Sequence, residues 1–184
     1  MFELKVVTSN PGKAIEIIAA LGKAGIKAAH VHMKYPEIRA DTFEEVVKAS
    51  IAHLKGTGLD EFILDDSGLD VRSLNGFPGV YSAYVFKTIG CEGILRLLSG
   101  SRDRHAEFVS VIGGFVKGKE VMVTGSTKGV ITVSQKGTFG FGYDPIFMPD
   151  GEKRTFAEMQ TEQKNAISHR GKAVAAFTEW YRSQ

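Results

Sequence analysis

The stretch Phe2-Glu3-Leu4-Lys5-Val6-Val7-Thr8-Ser9-Asn10-Pro11-Gly12-Lys13 decides the architecture. Phe2 to Thr8 is rich in apolar and β-branched residues and predicts a buried strand. A helix follows almost at once. Asn10 suits an N-cap, Pro11 suits the first helical position, and Ala14 to Ala24 carries a mostly apolar helical pattern that ends at Gly25. A strand feeding directly into a helix start aims several backbone N–H groups, and the positive end of the helix dipole, at one place. Thr8, Ser9, Asn10, Pro11, Gly12 and Lys13 are therefore a candidate phosphate seat, with Gly12 permitting close backbone approach and Lys13 adding a point charge. The spacing is not the GxxxxGK[ST] of the Walker loop, and a plain capped turn would use the same residues.

Working outward, Ile26 to Met33 alternates like a second strand. Thr42-Phe43-Glu44-Glu45 is a capping-box signature, opening a helix to about Lys55 before Gly56. Phe62-Ile63-Leu64 predicts a short buried strand delivering the chain to Asp65-Asp66-Ser67-Gly68. A loop from Asn75 to Tyr84 and a helix from Gly90 to Leu98 come next. Ala106 to Val116 and Glu120 to Val133 alternate like strands joined by Lys117-Gly118-Lys119. An aromatic, glycine-rich segment spans Phe139 to Phe147, and a helical stretch from Thr161 to Tyr181 is interrupted near Ser168. This order predicts an α/β fold: one domain over residues 1–184, with a mixed sheet, antiparallel in part, flanked by helices.

Composition excludes more than it assigns. The 184 residues can bury a sizeable core, and no apolar run approaches the roughly 20 residues that span a bilayer. The N-terminus lacks a basic segment followed by an apolar stretch, so a cytoplasmic protein with no membrane partner is expected. A formal net charge of +2, with both signs dispersed, argues against a nucleic-acid coat protein. Cys91 is the only cysteine, which rules out an internal disulfide.

Four further clusters carry chemistry. Asp65-Asp66 at a strand end occupies the place where open α/β sheets hold ligands. Two like charges there call for a cation, and hard oxygen donors suit Mg²⁺. One carboxylate can bind metal while its neighbour orients or deprotonates water, although an acidic turn reads the same way. Glu37, after Pro36, is by itself a loop glutamate. Thr138-Phe139-Gly140-Phe141-Gly142-Tyr143-Asp144-Pro145 interleaves aromatic faces with glycine, which lets a flat base stack, and Asp144 offers an acceptor to base N–H groups; a glycine-containing core strand is the alternative. In Lys164-Asn165-Ala166-Ile167-Ser168-His169-Arg170, Ser168 is placed to cap the last helix. Lys164 and Arg170, donors only, would favour a 6-oxo purine over adenine.

Taken in order, Thr8 to Lys13, Asp65-Asp66-Ser67-Gly68-Leu69, Gly76-Phe77-Pro78-Gly79-Val80-Tyr81-Ser82, Phe141-Gly142-Tyr143-Asp144-Pro145 and Ser168-His169-Arg170-Gly171-Lys172-Ala173 resemble the inosine triphosphate pyrophosphatase family, also called XTP/dITP pyrophosphatases. The resemblance covers nearly the whole chain. It implies an elongated mixed sheet flanked by helices, two lobes around a central cleft, and usually a homodimer. It also implies Mg²⁺-dependent cleavage of ITP, dITP and XTP between the α and β phosphates. On that resemblance Thr8 to Lys13 would hold the triphosphate, and Asp66 would be the catalytic acid-base residue and a metal ligand together with Glu37. Ser67 would contact substrate, while Phe141, Gly142, Tyr143, Asp144, Lys164, His169 and Arg170 would form the base pocket. The chain departs from the common pattern at Arg39, where glutamine is frequent, and at Tyr84, where bacterial members often carry arginine. Two rivals remain at this point: a Maf-like pyrophosphatase acting on pyrimidine or modified nucleotides, and a nucleotide-binding module that does not hydrolyse.

Overall fold

The computed structural model describes residues 3–36 and 38–184. Phe2 of the expected first strand and Glu37, the expected upstream metal ligand, lie outside the described residues. β1 (Leu4–Val7) runs through the cap at Asn10 into α1 (Pro11–Lys23), and the Asn10 side chain accepts the N–H groups of Gly12 and Lys13 at 2.9 and 3.2 Å. β2 (Ala28–Val31) follows, then α2 (Phe43–Lys55), opened by the Thr42–Glu45 capping box. β3 (Phe62–Val71), α3 (Ser82–Leu97) and the hairpin of β4 (His105–Val116) and β5 (Lys119–Ile131) make up the middle of the chain. Short β6 (Phe147–Pro149), α4 (Thr161–Ile167) and α5 (His169–Ser183) complete it.

The strands form one six-stranded sheet in the order β2-β1-β3-β4-β5-β6. β2, β1 and β3 are parallel; β4, β5 and β6 add antiparallel neighbours. This is the mixed α/β sheet that the order of elements predicts. α1 and α5 cover one face over a core of Leu4, Val6, Ile17, Leu21, Ile63 and Phe177. α2 covers the other face over Val47, Ile51, Leu54, Phe62 and Leu64. A third core, including Leu69, Val71, Val85, Phe108, Phe147 and Phe156, lies between α3, the far end of the hairpin and β6.

Two elements differ from the sequence reading. β3 does not stop at Leu64; it continues to Val71, so Asp65 and Asp66 lie inside a strand. The cause is remote in sequence: β4 pairs with β3 along its whole length, from Phe62↔Phe115 to Val71↔Ala106, and that ladder overrides the turn-like composition of Asp-Asp-Ser-Gly. α3 likewise begins at Ser82 rather than Gly90, and Gly90 is instead a break within it, at φ 59°.

The length of β3 creates the site. β1 pairs with it only across Phe62, Ile63 and Leu64. Farther along the same edge Pro78 bridges to Asp70, and the Leu69 N–H donates to Ser82 Oγ at 2.9 Å. Between these two contacts the edge of β3 at Asp65–Gly68 faces a notch, walled by the β1–α1 turn on one side and the start of α3 on the other.

Candidate active site

Strand geometry sends Asp65 and Asp66 to opposite faces of the sheet. Asp65 turns to the α1/α5 face and its side chain is fully buried. Lys13 Nζ lies 2.9 Å from its Oδ2 and also donates to the Asp65 carbonyl at 3.1 Å, tying the phosphate-seat turn to the strand edge. From the other side Arg170 Nη2 reaches the same Oδ2 at 3.3 Å, Ser67 Oγ donates to it at 3.1 Å, and Ser110 Oγ donates to Oδ1. Burial alone would raise the Asp65 carboxyl, but the charges of Arg170 and Lys13 outweigh it and hold the group well below the usual carboxylate range. Asp65 is thus a permanent anion committed to two cations.

Asp66 points the other way, as do Leu64 and Gly68 on either side of it, and it is half-buried at the notch. The like-charge repulsion expected of the pair is relieved by this alternation and by the Asp65 cations. Among the described residues no three His, Cys, Asp or Glu side chains group to hold a metal. The donor set still suits Mg²⁺, which keeps several waters and needs only one or two carboxylates when a substrate supplies phosphate oxygens. Asp66 is a half-buried carboxylate on the face of β3 opposite Asp65.

On the α1/α5 face the segment after Ser168 folds inward. Ser168 Oγ caps α5 by accepting the Gly171 N–H at 3.1 Å, which places His169 and Arg170 in the first turn, both buried. A Cβ at Gly125 would overlap the backbone of His169 and Ala173, so only glycine there lets α5 lie this close on β5. Arg170 donates to Glu16 Oε2 at 2.5 Å and to Ser67 Oγ at 2.6 Å. Lys164 Nζ sits 2.6 Å from both Glu16 Oε1 and Asp144 Oδ2. Two cations thus share three buried carboxylates: Glu16, Asp65 and Asp144. Burial, reinforced by Glu16, raises the Asp144 carboxyl in spite of Lys164; burial and the Arg170 and Lys164 charges lower His169 well below its usual value, so its imidazole is neutral. His169 stacks on Phe108 with ring centroids 4.6 Å apart, and among the described residues its buried Nδ1 finds no hydrogen-bond partner.

Phe141 closes this group from above. Its ring lies 4.9 Å from Lys164 Nζ and 5.5 Å from the Arg170 guanidinium carbon. Its N–H donates to Asp144 Oδ2 at 2.8 Å. The Gly142 carbonyl accepts from Cys91 Sγ, and the buried Tyr143 donates its hydroxyl to the Ser82 carbonyl at 3.1 Å. In the turn, Thr8 is buried with its Oγ1 accepting the Asn10 N–H at 3.1 Å, and Ser9 is exposed. The structure therefore gathers Thr8 to Lys13, Ser67, Phe141, Asp144, Lys164, His169 and Arg170 on one side of the notch. Asp66 lies across the edge, and the Tyr143 hydroxyl is turned toward α3.

Glu16 and Ser110 belong to this constellation and do not stand out in the sequence. Glu16 looks like a solvated helix glutamate beside Ile15. In the fold the roles are reversed: Ile15 is 61% exposed and Glu16 only 4%. Ser110, one hydroxyl within an apolar strand pattern, carries no local signal.

Comparison with known proteins bears on the family and the fold. The profile of the Ham1 family matches residues 4–180. A dITP/XTP pyrophosphatase of Pyrococcus horikoshii is 53% identical over 174 residues, covering 95% of this chain and 94% of that protein. One from Thermococcus kodakarensis is 50% identical, covering 96% of each. Among solved structures, a HAM1 protein from Coxiella burnetii superposes with a TM-score of 0.83 at 31% identity, covering 100% of both chains.

Proposed function

Because this chain belongs to the Ham1 family, we propose that it hydrolyses dITP, XTP and ITP to the nucleoside monophosphate and pyrophosphate, clearing deaminated purines from the nucleotide pool. One observation carries the reading. The Lys13 turn and the buried Lys164–Arg170 group meet at Asp65, next to Asp66 on the strand, with Lys13 Nζ 3.1 Å from the Asp65 carbonyl and Arg170 Nη2 3.3 Å from its Oδ2.

In this reading the triphosphate lies along the turn, where Lys13 and the positive end of the α1 dipole neutralise charge on the departing pyrophosphate. Water attacks the α-phosphorus in line, the bond from that phosphorus to the bridging oxygen breaks, and the Asp66 carboxylate takes the proton of the water. Asp65 is turned to the opposite face of the strand and paired with Arg170, which favours Asp66 for that role. Mg²⁺ held by Asp66, with Glu37 as the second expected ligand, would supply Lewis-acid stabilisation of phosphate charge. The base enters beside Phe141, whose ring lies over Lys164 and Arg170, with His169 next to Arg170 in the first turn of α5. Donor-only cations prefer a 6-oxo group, and burying them against an amino group is unfavourable by about 1–3 kcal/mol.

No helix among the described residues is long and apolar enough to cross a membrane. We place the enzyme in the cytoplasm, acting as a homodimer, with the exposed aromatics Phe77, Tyr81 and Tyr84 available for subunit contact. The test is pyrophosphate release from dITP, XTP, ITP and ATP, with and without Mg²⁺. Fast release from the first three, little from ATP, and loss on chelation are expected; equal rates on ATP would overturn the base-pocket assignment, and no release at all would overturn the activity.

A further inference from the structure

One oxygen of one carboxylate touches the cations assigned to both ends of the substrate. Asp65 Oδ2 lies 2.9 Å from Lys13 Nζ, in the phosphate seat, and 3.3 Å from Arg170 Nη2, in the base pocket. We infer that Asp65, held in place by Ser110, couples the two subsites, so that base discrimination depends on the phosphate-binding lysine. This rests on the proposed hydrolysis of 6-oxo purine nucleotides.

The geometry sets the direction of the coupling. The Lys13 side chain is 16% exposed and Arg170 only 2%, so Lys13 is the partner that can turn to an incoming phosphate. Oδ2 is crowded: Lys13, Ser67 and two nitrogens of Arg170 all converge on it, and the Arg170 contacts, at 3.3 and 3.4 Å, are long. When a phosphate draws Lys13 away, the freed oxygen takes up Arg170 more closely. Glu16 grips the other side of the guanidinium at 2.5 Å, so Arg170 turns rather than leaves. The orientation of the base-reading guanidinium is therefore set by whether Lys13 is engaged.

Ser110 makes this possible without touching substrate. It is fully buried, and its hydroxyl satisfies Oδ1, leaving Oδ2 for the two cations. Without it the carboxylate must turn toward Lys13 and Arg170 to satisfy both oxygens, since a buried charged acceptor is not left unpaired. Asp65 and Ser110 are thus positioning residues.

The experiment compares kcat/KM for dITP and dATP in the wild type, Lys13→Met, Ser110→Ala and Ser110→Cys. Independent subsites require Lys13→Met to slow both nucleotides by the same factor and leave the dITP:dATP ratio unchanged. Coupling through Asp65 lowers that ratio about tenfold in Lys13→Met and in Ser110→Ala, with the weak donor of Ser110→Cys restoring part of it. A merely structural serine would reduce the yield of folded enzyme, or kcat on both substrates, without moving the ratio. An active wild type whose ratio stays within twofold in both Lys13→Met and Ser110→Ala overturns the coupling alone. A wild type inactive on dITP and XTP overturns the proposed function and this inference with it.

Discussion

Phe141 lays its ring against Gly12, so close that a Cβ at Gly12 would overlap the ring edge. The expected stacking platform and the expected phosphate seat are therefore in contact. Gly12→Ala should push the ring aside, and because the obstacle is a side chain rather than backbone, the fold should survive. We expect an unchanged thermal midpoint and a rise in KM for dITP of about tenfold, equivalent to about 1.4 kcal/mol. Steady-state kinetics beside a melting curve checks both; a wild-type KM would show that the ring position has no bearing on substrate.

Asp66→Asn should leave the fold intact, since the residue stands half-buried at the notch rather than in a packed core. Loss of a general base lowers turnover by about 10²–10⁴-fold. Single-turnover rates with dITP, together with circular dichroism to confirm folding, give the answer. A kcat near wild type would remove Asp66 from its role.

Glu16→Gln addresses the buried charges. Glu16 is bonded to Lys164 at 2.6 Å and Arg170 at 2.5 Å, and their charges hold its carboxyl below the usual range against the effect of burial. Removing one partner of a buried pair destabilises by about 3–5 kcal/mol. A urea melt should show a clearly lower midpoint at pH 7. An unmoved midpoint would mean that Glu16 is not the counter-charge these cations need.

Asp70 gives stability a pH dependence. Burial, with Glu107 opposite it on β4, raises its carboxyl to about 6. The folded chain thus keeps this proton to about pH 6, whereas the unfolded chain releases it near 4. Between those values the folded state binds more protons, so stability falls as pH rises through the window, and at neutral pH the ionised group is a burden. Asp70→Asn should stabilise the protein at pH 7.5 by about 1 kcal/mol after allowance for solvent screening, with little effect at pH 4. Denaturant midpoints at the two pH values decide it; an equal shift at both would exclude Asp70 as the source.

The elements legible in the sequence are those with local codes. Asn10 followed by Pro11, the Thr42–Glu45 box, the Lys117-Gly118 turn and Ser168 each fix an end or a break through bonds to residues a few positions away. The full length of β3 is not legible, because its continuation depends on β4, some forty positions later, and nothing in Asp-Asp-Ser-Gly announces a strand. The start of α3 was hidden among aromatics that mimic a loop. At the site, residue types named the chemistry, but partnership did not show. The assignment of Asp65 to two cations, and the burial of Glu16 in place of Ile15, arise from packing of α1 against α5 and cannot be read along either helix alone.

The notch has a second consequence, for self-association. An uncovered strand margin is a template on which another chain can add, and lysine is one of the residues that blunts it. Here the Asp65 carbonyl, buried just beyond the last β1 pair, is capped by Lys13 Nζ, while Pro78 guards the far side of the gap. The side chain expected to grip phosphate thus also closes the gap in the ladder that another strand would otherwise fill. Removing it would leave a buried carbonyl short of a donor as well as slow turnover.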